Sequence, residues 1–147
     1  MKASEFFTKE QQERIRSAIK EAEKNTSGEI RVHLETKLTG DILDRAAWIF
    51  RKIGMHLTET RNGVLFYMAV ENKKFAIIGD VGINSKVTEN FWDEIKSTVE
   101  SEFRVSRFTE GLIKGILMTG EQLSGNFPRE TDDINELPDE ISYDIPE

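Results

Sequence analysis

The stretch Val64–Asp80, VLFYMAVENKKFAIIGD, decides the fold because it contains two apolar runs on either side of a short polar turn. The first run, Val64–Val70, is apolar at every position, which is typical of a strand buried on both faces of a sheet. The second run begins at Phe75, and a link as short as ENKK joins antiparallel neighbours. The stretch therefore predicts a β-hairpin whose first strand lies in the middle of a sheet.

Three elements are predicted on the N-terminal side of this hairpin. Apolar residues at helical spacing predict helices over Thr8–Lys24 and from about Asp41 to Met55. Between them, Glu29–Glu35 (EIRVHLE) alternates apolar and polar residues, which predicts a strand with one buried face. Because a strand, a helix and a second strand form a right-handed crossover, this strand should run parallel to the first strand of the hairpin.

Two further helices are predicted after the hairpin. The apolar residues of the first are Phe91, Trp92, Ile95, Val99 and Phe103. The second lies around Leu112–Leu123. The order of elements predicts an α/β fold, an αβα sandwich in which helices pack on the faces of a small mixed β-sheet. We expect residues 1–126 to form a single domain.

The net charge of −7 comes entirely from the C-terminal segment, residues 127–147. This segment holds eight acidic residues and one basic residue, so the rest of the chain carries 19 of each sign. Neither part has the basic face that nucleic-acid binding requires, which disfavours that class of function. The acidic residues and the three prolines, Pro128, Pro138 and Pro146, predict a disordered tail.

The chain has no cysteine, which excludes disulfides and thiolate metal sites. Its longest apolar run, Val64–Val70, is far shorter than the roughly 20 residues of a membrane span. The N-terminus, MKASEFFTKEQQ, lacks the apolar core of a secretory signal. We therefore expect a soluble, cytoplasmic monomer.

The predicted topology places several oxygen-bearing side chains at one end of the sheet. Glu29 begins the first strand, Asn62 precedes the second strand, and Asp80 ends the third. Parallel pairing of the first two strands and antiparallel pairing of the third bring these three positions together. With Asn84 in the following turn, they form a predicted set of oxygen ligands for Ca²⁺ or Mg²⁺.

Two further features bear on this predicted site. The N-terminus of the helix after Lys86 should lie at the same end of the sheet, where its N–H groups favour anions. Equally, Asp80 can simply hold a turn, and Gly79 and Gly82 can serve only backbone geometry with positive φ. Gly79-x-x-Gly82 matches no phosphate-loop pattern, and neither H-E-x-x-H nor G-x-S-x-G occurs.

Three motifs in this order resemble the TPM domain, a family named for thylakoid lumen proteins and an acetylcholine-receptor accessory protein. The motifs are NTSGEIRVHL (Asn25–Leu34), RNGVLFYMAVENKKFAIIGDVGI (Arg61–Ile83) and RFTEGLIKGI (Arg107–Ile116). The resemblance covers roughly Lys9–Phe127. It identifies the chain as a compact bacterial member and implies an αβα sandwich, divalent-cation binding and, in some relatives, weak acid-phosphatase activity.

The resemblance is weakest at the third motif. Many members of the family read E-V-G-Y-G-L-E where this chain has Ile78-Gly79-Asp80-Val81-Gly82-Ile83-Asn84. Two glutamates are replaced by Ile78 and Asn84, and a glycine is replaced by Asp80. This rearrangement of the carboxylates argues against carrying over a phosphatase mechanism, whereas Asp80 can replace a lost glutamate as a metal ligand.

These observations lead to three hypotheses about function. The first is a TPM-domain binding module that holds a divalent cation, calcium in preference to magnesium, at Glu29, Asn62, Asp80 and Asn84. The second is a weak metal-assisted phosphatase in which Lys86 or Arg61 holds the ester, although the chain has no convincing nucleophile or general acid. The third is a metal-free interaction domain whose acidic tail recruits a basic protein partner.

Overall fold

A four-stranded mixed sheet lies at the centre of the protein, whose computed structural model describes residues 1–88, 90–129 and 140–146. The strands are β1 (Glu29–Glu35), β2 (Gly63–Ala69), β3 (Lys74–Gly79) and β4 (Ser142–Tyr143), in the spatial order β3-β2-β1-β4. β1 pairs in parallel with β2, and β2 pairs antiparallel with β3. The predicted hairpin and the predicted parallel crossover are both confirmed.

Helices cover both faces of this sheet. They are α1 (Ala3–Phe6), α2 (Lys9–Glu23), α3 (Ile42–Lys52), α4 (Val81–Asn84), α5 (Asp93–Arg104) and α6 (Phe108–Asn126), with a short 3₁₀ turn at Met55–Leu57. Helices α2, α5 and α6 contribute to the core on one face, and α3 contributes to the core on the other. The fold is therefore the αβα sandwich that the order of elements predicted.

Side-chain caps explain where two of these helices begin. The Thr8 hydroxyl accepts from the Gln11 N–H at 3.1 Å, and the Gln11 side chain accepts from the Thr8 N–H at 2.9 Å, a reciprocal capping box at the start of α2. Asp41 caps α3 by accepting from the Asp44 N–H at 3.0 Å. Each cap satisfies backbone donors that the first turn of a helix leaves without partners.

The two faces of β1 contact different surroundings. Ile30, Val32 and Leu34 join the larger core, under α2 and α6. The opposite face carries His33 and Glu35, which are also buried. The alternating sequence had predicted one buried face, and this was wrong because the polar side chains of β1 have polar partners in the folded protein.

The C-terminal segment differs most from the sequence prediction. The prediction of a disordered tail over residues 127–147 does not hold for residues 140–146, since Ser142 and Tyr143 pair in parallel with His33 and Leu34 of β1. Ile141 is buried in the larger core, and this apolar anchor lies within the acidic sequence. Residues 130–139, which carry much of the acidic charge, lie outside the described residues.

The structure also tests the expectation that no helix crosses a membrane. Among the described residues, none of the helices combines the length and the apolar character that a span requires.

Candidate functional site

The predicted site residues meet at one end of the sheet, which we call the Asp80 end and define by Glu29, Asn62, Gly63 and Asp80. Glu29 is the register partner of Gly63, and its N–H donates to the Asn62 carbonyl at 3.3 Å. The Asp80 N–H donates to the Gly63 carbonyl at 3.0 Å. The topology therefore brings these positions together, as the strand directions predicted.

Asp80 holds a cationic side chain at this end. Its Oδ2 accepts from Arg61 Nε at 2.7 Å and its Oδ1 accepts from an Arg61 terminal nitrogen at 2.9 Å, so the pair is bidentate. Oδ1 also accepts from the Val81 N–H at 2.7 Å, which caps α4. The hydrogen bond to Asp80 raises the pKa of Arg61. Asp80 thus combines the turn role with the binding of a positive charge.

The two partners differ in their exposure to solvent. The side chain of Asp80 is 4% exposed, whereas that of Arg61 is 42% exposed. The backbone of Arg61 has φ of +53°, in the left-handed region that disfavours side chains with a Cβ. The carboxylate is therefore a fixed part of the sheet end, and the guanidinium reaches it from an exposed, strained loop.

The amide side chains of Asn62 and Asn84 also lie at this end. Asn62 Nδ2 donates to the Ser27 hydroxyl at 3.3 Å, and Asn84 Nδ2 donates to the Gly79 carbonyl at 3.0 Å. These bonds orient both amides through their nitrogen, which leaves the Oδ1 atom of each as the oxygen that a cation can use. Oxygens of this kind suit Ca²⁺ and Mg²⁺.

The sequence offered positive φ as one reason for the glycines of the turn, Gly79 and Gly82. The structure shows that they serve close packing instead. Among the described glycines, only Gly40 and Gly54 have positive φ. A Cβ on Gly82 would lie 2.1 Å from the Thr60 carbonyl oxygen, and one on Gly79 would lie 2.7 Å from the Trp92 ring. The backbone of α4 therefore packs directly on the loop that carries Arg61.

The helix expected after Lys86 begins later than predicted. α5 starts at Asp93, so Phe91 and Trp92 precede it, and the helical turn at the Asp80 end is the four-residue α4. Lys86 Nζ lies 4.6 Å from the centroid of the Phe127 ring. Of the two cations proposed to hold an ester, Arg61 pairs with Asp80 and Lys86 packs on an aromatic ring.

A shallow open groove of about 180 Å³ adjoins Asp80. Its lining includes Phe50 and Ile78 from the smaller core, with His56, Arg61 and Asp80. Among the described residues, no group of three or more His, Cys, Asp or Glu side chains is placed to hold a metal ion. A cation at the Asp80 end would therefore depend on amide and carbonyl oxygens for much of its coordination.

The stretch Thr26-Ser27-Gly28-Glu29, within the first of the three family motifs, connects this end to α6. The Thr26 hydroxyl donates to the Phe127 carbonyl at 2.5 Å and accepts from the Gly28 N–H at 3.0 Å. The Ser27 N–H donates to the same Phe127 carbonyl at 2.9 Å. Thr26, which is buried, therefore joins the loop before β1 to the end of α6.

The opposite end of the sheet holds a second polar cluster, which sequence reasoning missed. We call it the His33 end and define it by His33, Glu35, Arg45 and Tyr67. Glu35 accepts a bidentate pair of hydrogen bonds from Arg45, including one of 2.9 Å from Arg45 Nε, and accepts from the Tyr67 hydroxyl at 2.5 Å. The His33 ring stacks on Tyr67 with a centroid distance of 6.1 Å.

The burial of this cluster changes its proton affinities. Burial lowers the pKa of His33 to about 4, although nearby Glu35 and Asp144 act in the opposite direction. Burial raises the pKa of Glu35, but hydrogen bonds from Arg45 and Tyr67 outweigh it and hold the pKa below the ordinary value. Burial and the bond to Glu35 raise the pKa of Tyr67. At neutral pH the cluster therefore contains a neutral imidazole beside an ionised carboxylate and guanidinium.

One signal in the sequence pointed to this cluster. Tyr67 is the polar-tipped residue of an otherwise apolar run, and a buried tyrosine hydroxyl requires a hydrogen-bond partner. The parallel register places His33 opposite Tyr67 and Glu35 opposite Ala69, on the same face of the sheet. Because the alternation in β1 predicted that His33 and Glu35 face solvent, their contacts with Tyr67 were not predicted.

Comparisons with known proteins agree with this architecture. The family model of the TPM domain matches residues 1–122. The solution structure of the BA42 protein from the psychrophilic bacterium Bizionia argentinensis is similar, with 47% sequence identity and a TM-score of 0.92, covering 97% of this chain and 99% of that one. No curated protein matches the chain.

Two more distant structures share the fold. The N-terminal domain of a P. gingivalis protein has 18% identity and a TM-score of 0.69, over 84% of this chain and 80% of that chain. The N-terminal domain of the cg2496 protein from Corynebacterium glutamicum has 13% identity and a TM-score of 0.65, over 80% of this chain and 74% of that one. At these identities the likeness concerns the fold alone.

Proposed function

The chain belongs to the TPM domain family, and we propose that it is a binding module that takes up a divalent cation, calcium in preference to magnesium, at the Asp80 end. The ligands in this proposal are the carboxylates of Asp80 and Glu29 with the side-chain oxygens of Asn62 and Asn84. The observation that carries the proposal is the bidentate pair between a buried Asp80 carboxylate and an exposed Arg61 guanidinium. The Asp80 carboxylate thus already binds one cationic group, and that group belongs to a side chain that is open to solvent.

In this proposal the metal ion competes with Arg61. Both oxygens of Asp80 are engaged by the guanidinium, so a cation reaches them only after Arg61 turns away into solvent. The 42% exposure of the Arg61 side chain makes this movement sterically possible. The pair is open to solvent on its Arg61 side, and a solvent-accessible pair contributes on the order of 1 kcal/mol, which a cation that binds several oxygens can exceed.

The ligand set favours calcium over magnesium for a physical reason. Mg²⁺ requires a nearly octahedral shell at short distances, whereas Ca²⁺ accepts six to eight oxygens in irregular arrangements. The Asn62 and Asn84 amides are held by separate hydrogen bonds, one in the loop before β2 and the other at the end of α4. With two carboxylates and neutral oxygens, we expect weak calcium affinity, roughly 0.1–1 mM.

The test is a calcium titration of the isotope-labelled protein followed by NMR, repeated with two variants. Asp80→Asn should abolish the saturable shifts at residues 28–30, 62 and 79–84 because it removes the central carboxylate. Arg61→Gln should strengthen calcium binding because it removes the competing cation. The same titration with magnesium should give weaker binding.

Matched controls separate a folded site from diffuse binding by acidic residues. Glu71→Gln removes a carboxylate that is half exposed and lies beyond β2 at the other end of the sheet, and should leave the affinity unchanged. Shifts confined to residues 130–147 would overturn the proposal. Unchanged affinity in Asp80→Asn, or weakened affinity in Arg61→Gln, would also contradict it.

A further inference from the structure

The outer edge of β1 is covered by a very short strand. β1 and β2 are paired over seven residues, from Glu29 with Gly63 to Glu35 with Ala69. On the other side, β4 pairs only with His33 and Leu34 among the described residues. An edge covered by so short a ladder depends on side-chain contacts for its stability.

Five consecutive residues of the C-terminal segment, residues 141–145, each contact the body of the protein. Ile141 is buried in the larger core, and Ile145 packs against the smaller one. Ser142 Oγ lies 2.6 Å from His33 Nδ1, and the Tyr143 hydroxyl donates to Gln12 Oε1 at 2.8 Å.

Asp144 makes the largest number of these contacts. Its carboxylate accepts from the Thr36 N–H at 2.7 Å and from the Thr36 hydroxyl at 2.6 Å. Its own N–H donates to the Leu34 carbonyl at 3.1 Å. Beside it, the Ile145 carbonyl accepts from an Arg45 terminal nitrogen at 3.0 Å. Backbone bonds to an exposed edge combined with side-chain pockets are the mode by which strand-adding domains bind peptides.

The body of the protein supplies all the groups that bind this segment. The guanidinium of Arg45 is fixed by Glu35, and Glu35 is fixed in turn by Tyr67. His33, with 0% exposure, stacks on the same tyrosine. None of these three contacts involves the C-terminal segment, so Arg45 and His33 are each held by residues of the body as well as by the segment.

We propose that the β1 edge is a peptide-binding site for an extended segment of a partner protein, parallel to β1, with the pattern apolar–Ser/Thr–aromatic–Asp–apolar. Residues 141–145 of the chain, Ile-Ser-Tyr-Asp-Ile, are the internal ligand of this site, and the partner segment displaces them. The serine position is read by His33, the aromatic position by Gln12 and the aspartate by Thr36. This site is at the opposite end of the sheet from the proposed cation site and is independent of it.

An internal ligand competes with the partner at the effective concentration set by its link to the body, commonly on the order of 1 mM. We therefore design the test on the full chain with a weakened internal ligand, Ser142→Ala/Asp144→Ala. The probe is a fluorescent synthetic peptide of residues 139–147, and binding is measured by anisotropy. The double variant should bind this peptide at least about 10-fold more tightly than the unmodified chain does.

Two controls make the result specific. Pro146→Ala changes an exposed residue next to the segment and should bind the peptide as weakly as the unmodified chain. A peptide that itself carries Ser142→Ala and Asp144→Asn should lose the gain in affinity. Equal binding of both peptides, or absence of binding by a folded double variant, would overturn the proposal.

A second measurement avoids dependence on the folding of the variant. Unlabelled peptide at several millimolar is added to the isotope-labelled, unmodified chain, and the amide signal of Asp144 is followed. Displacement should move this signal toward its unstructured position, and an unchanged signal contradicts the proposal. A concentration-dependent dimer that the peptide dissociates would assign the site to a second copy of this chain and overturn the assignment to a separate partner.

Discussion

The two ends of the sheet each hold an arginine–carboxylate pair, but they hold it in different surroundings. At the His33 end, the side chains of Glu35 and Arg45 are 4% and 15% exposed. At the Asp80 end, the carboxylate is equally buried and its arginine reaches it from solvent. The same kind of ion pair is therefore withdrawn from solvent at the His33 end, whereas at the Asp80 end its arginine stays partly open to solvent.

The largest expected effect comes from removing the carboxylate at the closed end. Glu35→Gln should lower the free energy of unfolding by about 3–5 kcal/mol, because it leaves the largely buried guanidinium of Arg45 without the carboxylate of Glu35. Asp80→Asn should cost only about 1 kcal/mol, since Arg61 can be solvated and asparagine still caps α4. Urea unfolding of both variants measures the difference. Equal losses would show that exposure does not distinguish the two ends.

The next effect is a pH dependence that belongs to the His33 end. With the pKa of His33 lowered from 6.5 to about 4, the unfolded chain binds a proton between these pH values that the folded chain does not. The free energy of unfolding should therefore fall as the pH falls through this window, by up to about 3 kcal/mol from this residue.

Burial of the imidazole sets this dependence. Of the charged groups that face His33, Glu35 and Asp144 oppose the lowering of its pKa, and Arg31 and Arg45 add to it. His33→Gln should remove the part of the slope between pH 6.5 and about 4, as measured by urea unfolding across that range. His56→Gln is the matched control, since it retains His33 and should retain the slope. The same slope in the His33 variant would place its origin at other residues.

A smaller loss is expected from crowding the turn at the Asp80 end. Gly82→Ala places a methyl group against the Thr60 carbonyl, and overpacking of this kind costs about 1–3 kcal/mol. Gly125→Ala is the control, because no heavy atom lies within 4 Å of its Cβ position and alanine favours the helix by roughly 0.5–1 kcal/mol. Thermal unfolding should move in opposite directions for the two variants, and a stable Gly82→Ala variant would contradict the close packing.

The smallest effect isolates the Arg61–Asp80 pair itself. Arg61 and Lys73 have almost the same backbone conformation, with φ of +53° and +52°. Lys73→Gly should stabilise the protein by about 0.5 kcal/mol because it relieves this strain. Arg61→Gly relieves the same strain but also removes the ion pair. The difference between the two variants in the free energy of unfolding, measured with urea, therefore estimates the contribution of the Arg61–Asp80 pair. A larger gain for Arg61→Gly would mean that the pair is destabilising.

The sequence allowed the central part of the fold to be predicted because the signals there are local. The apolar run from Val64 and the short polar turn before Phe75 define a hairpin without reference to any other part of the chain. Strand direction then placed Glu29, Asn62 and Asp80 at one end of the sheet, as the structure shows. The cation at that end stays a prediction.

The partners of the polar side chains could not be predicted in the same way. The sequence suggests Arg61 as a group that holds an ester, and only the folded geometry shows that it pairs with Asp80. β4 was missed because Ile141, Tyr143 and Ile145 are dispersed among acidic residues, and their value depends on a distant strand. Composition reports the average character of such a segment, whereas docking depends on the position of a few side chains.

The distance along the chain between β1 and β4 has a consequence for folding kinetics. His33 and Ser142 are 109 positions apart, whereas the β2–β3 hairpin closes over a few residues. Contacts of such long range form only after a large loss of chain entropy, so the β1–β4 pairing should follow the main folding barrier. Substitutions in β4 should then accelerate unfolding and leave the refolding rate nearly unchanged. The last strand would act mainly on the lifetime of the native state, and the hairpin on the speed with which that state is reached.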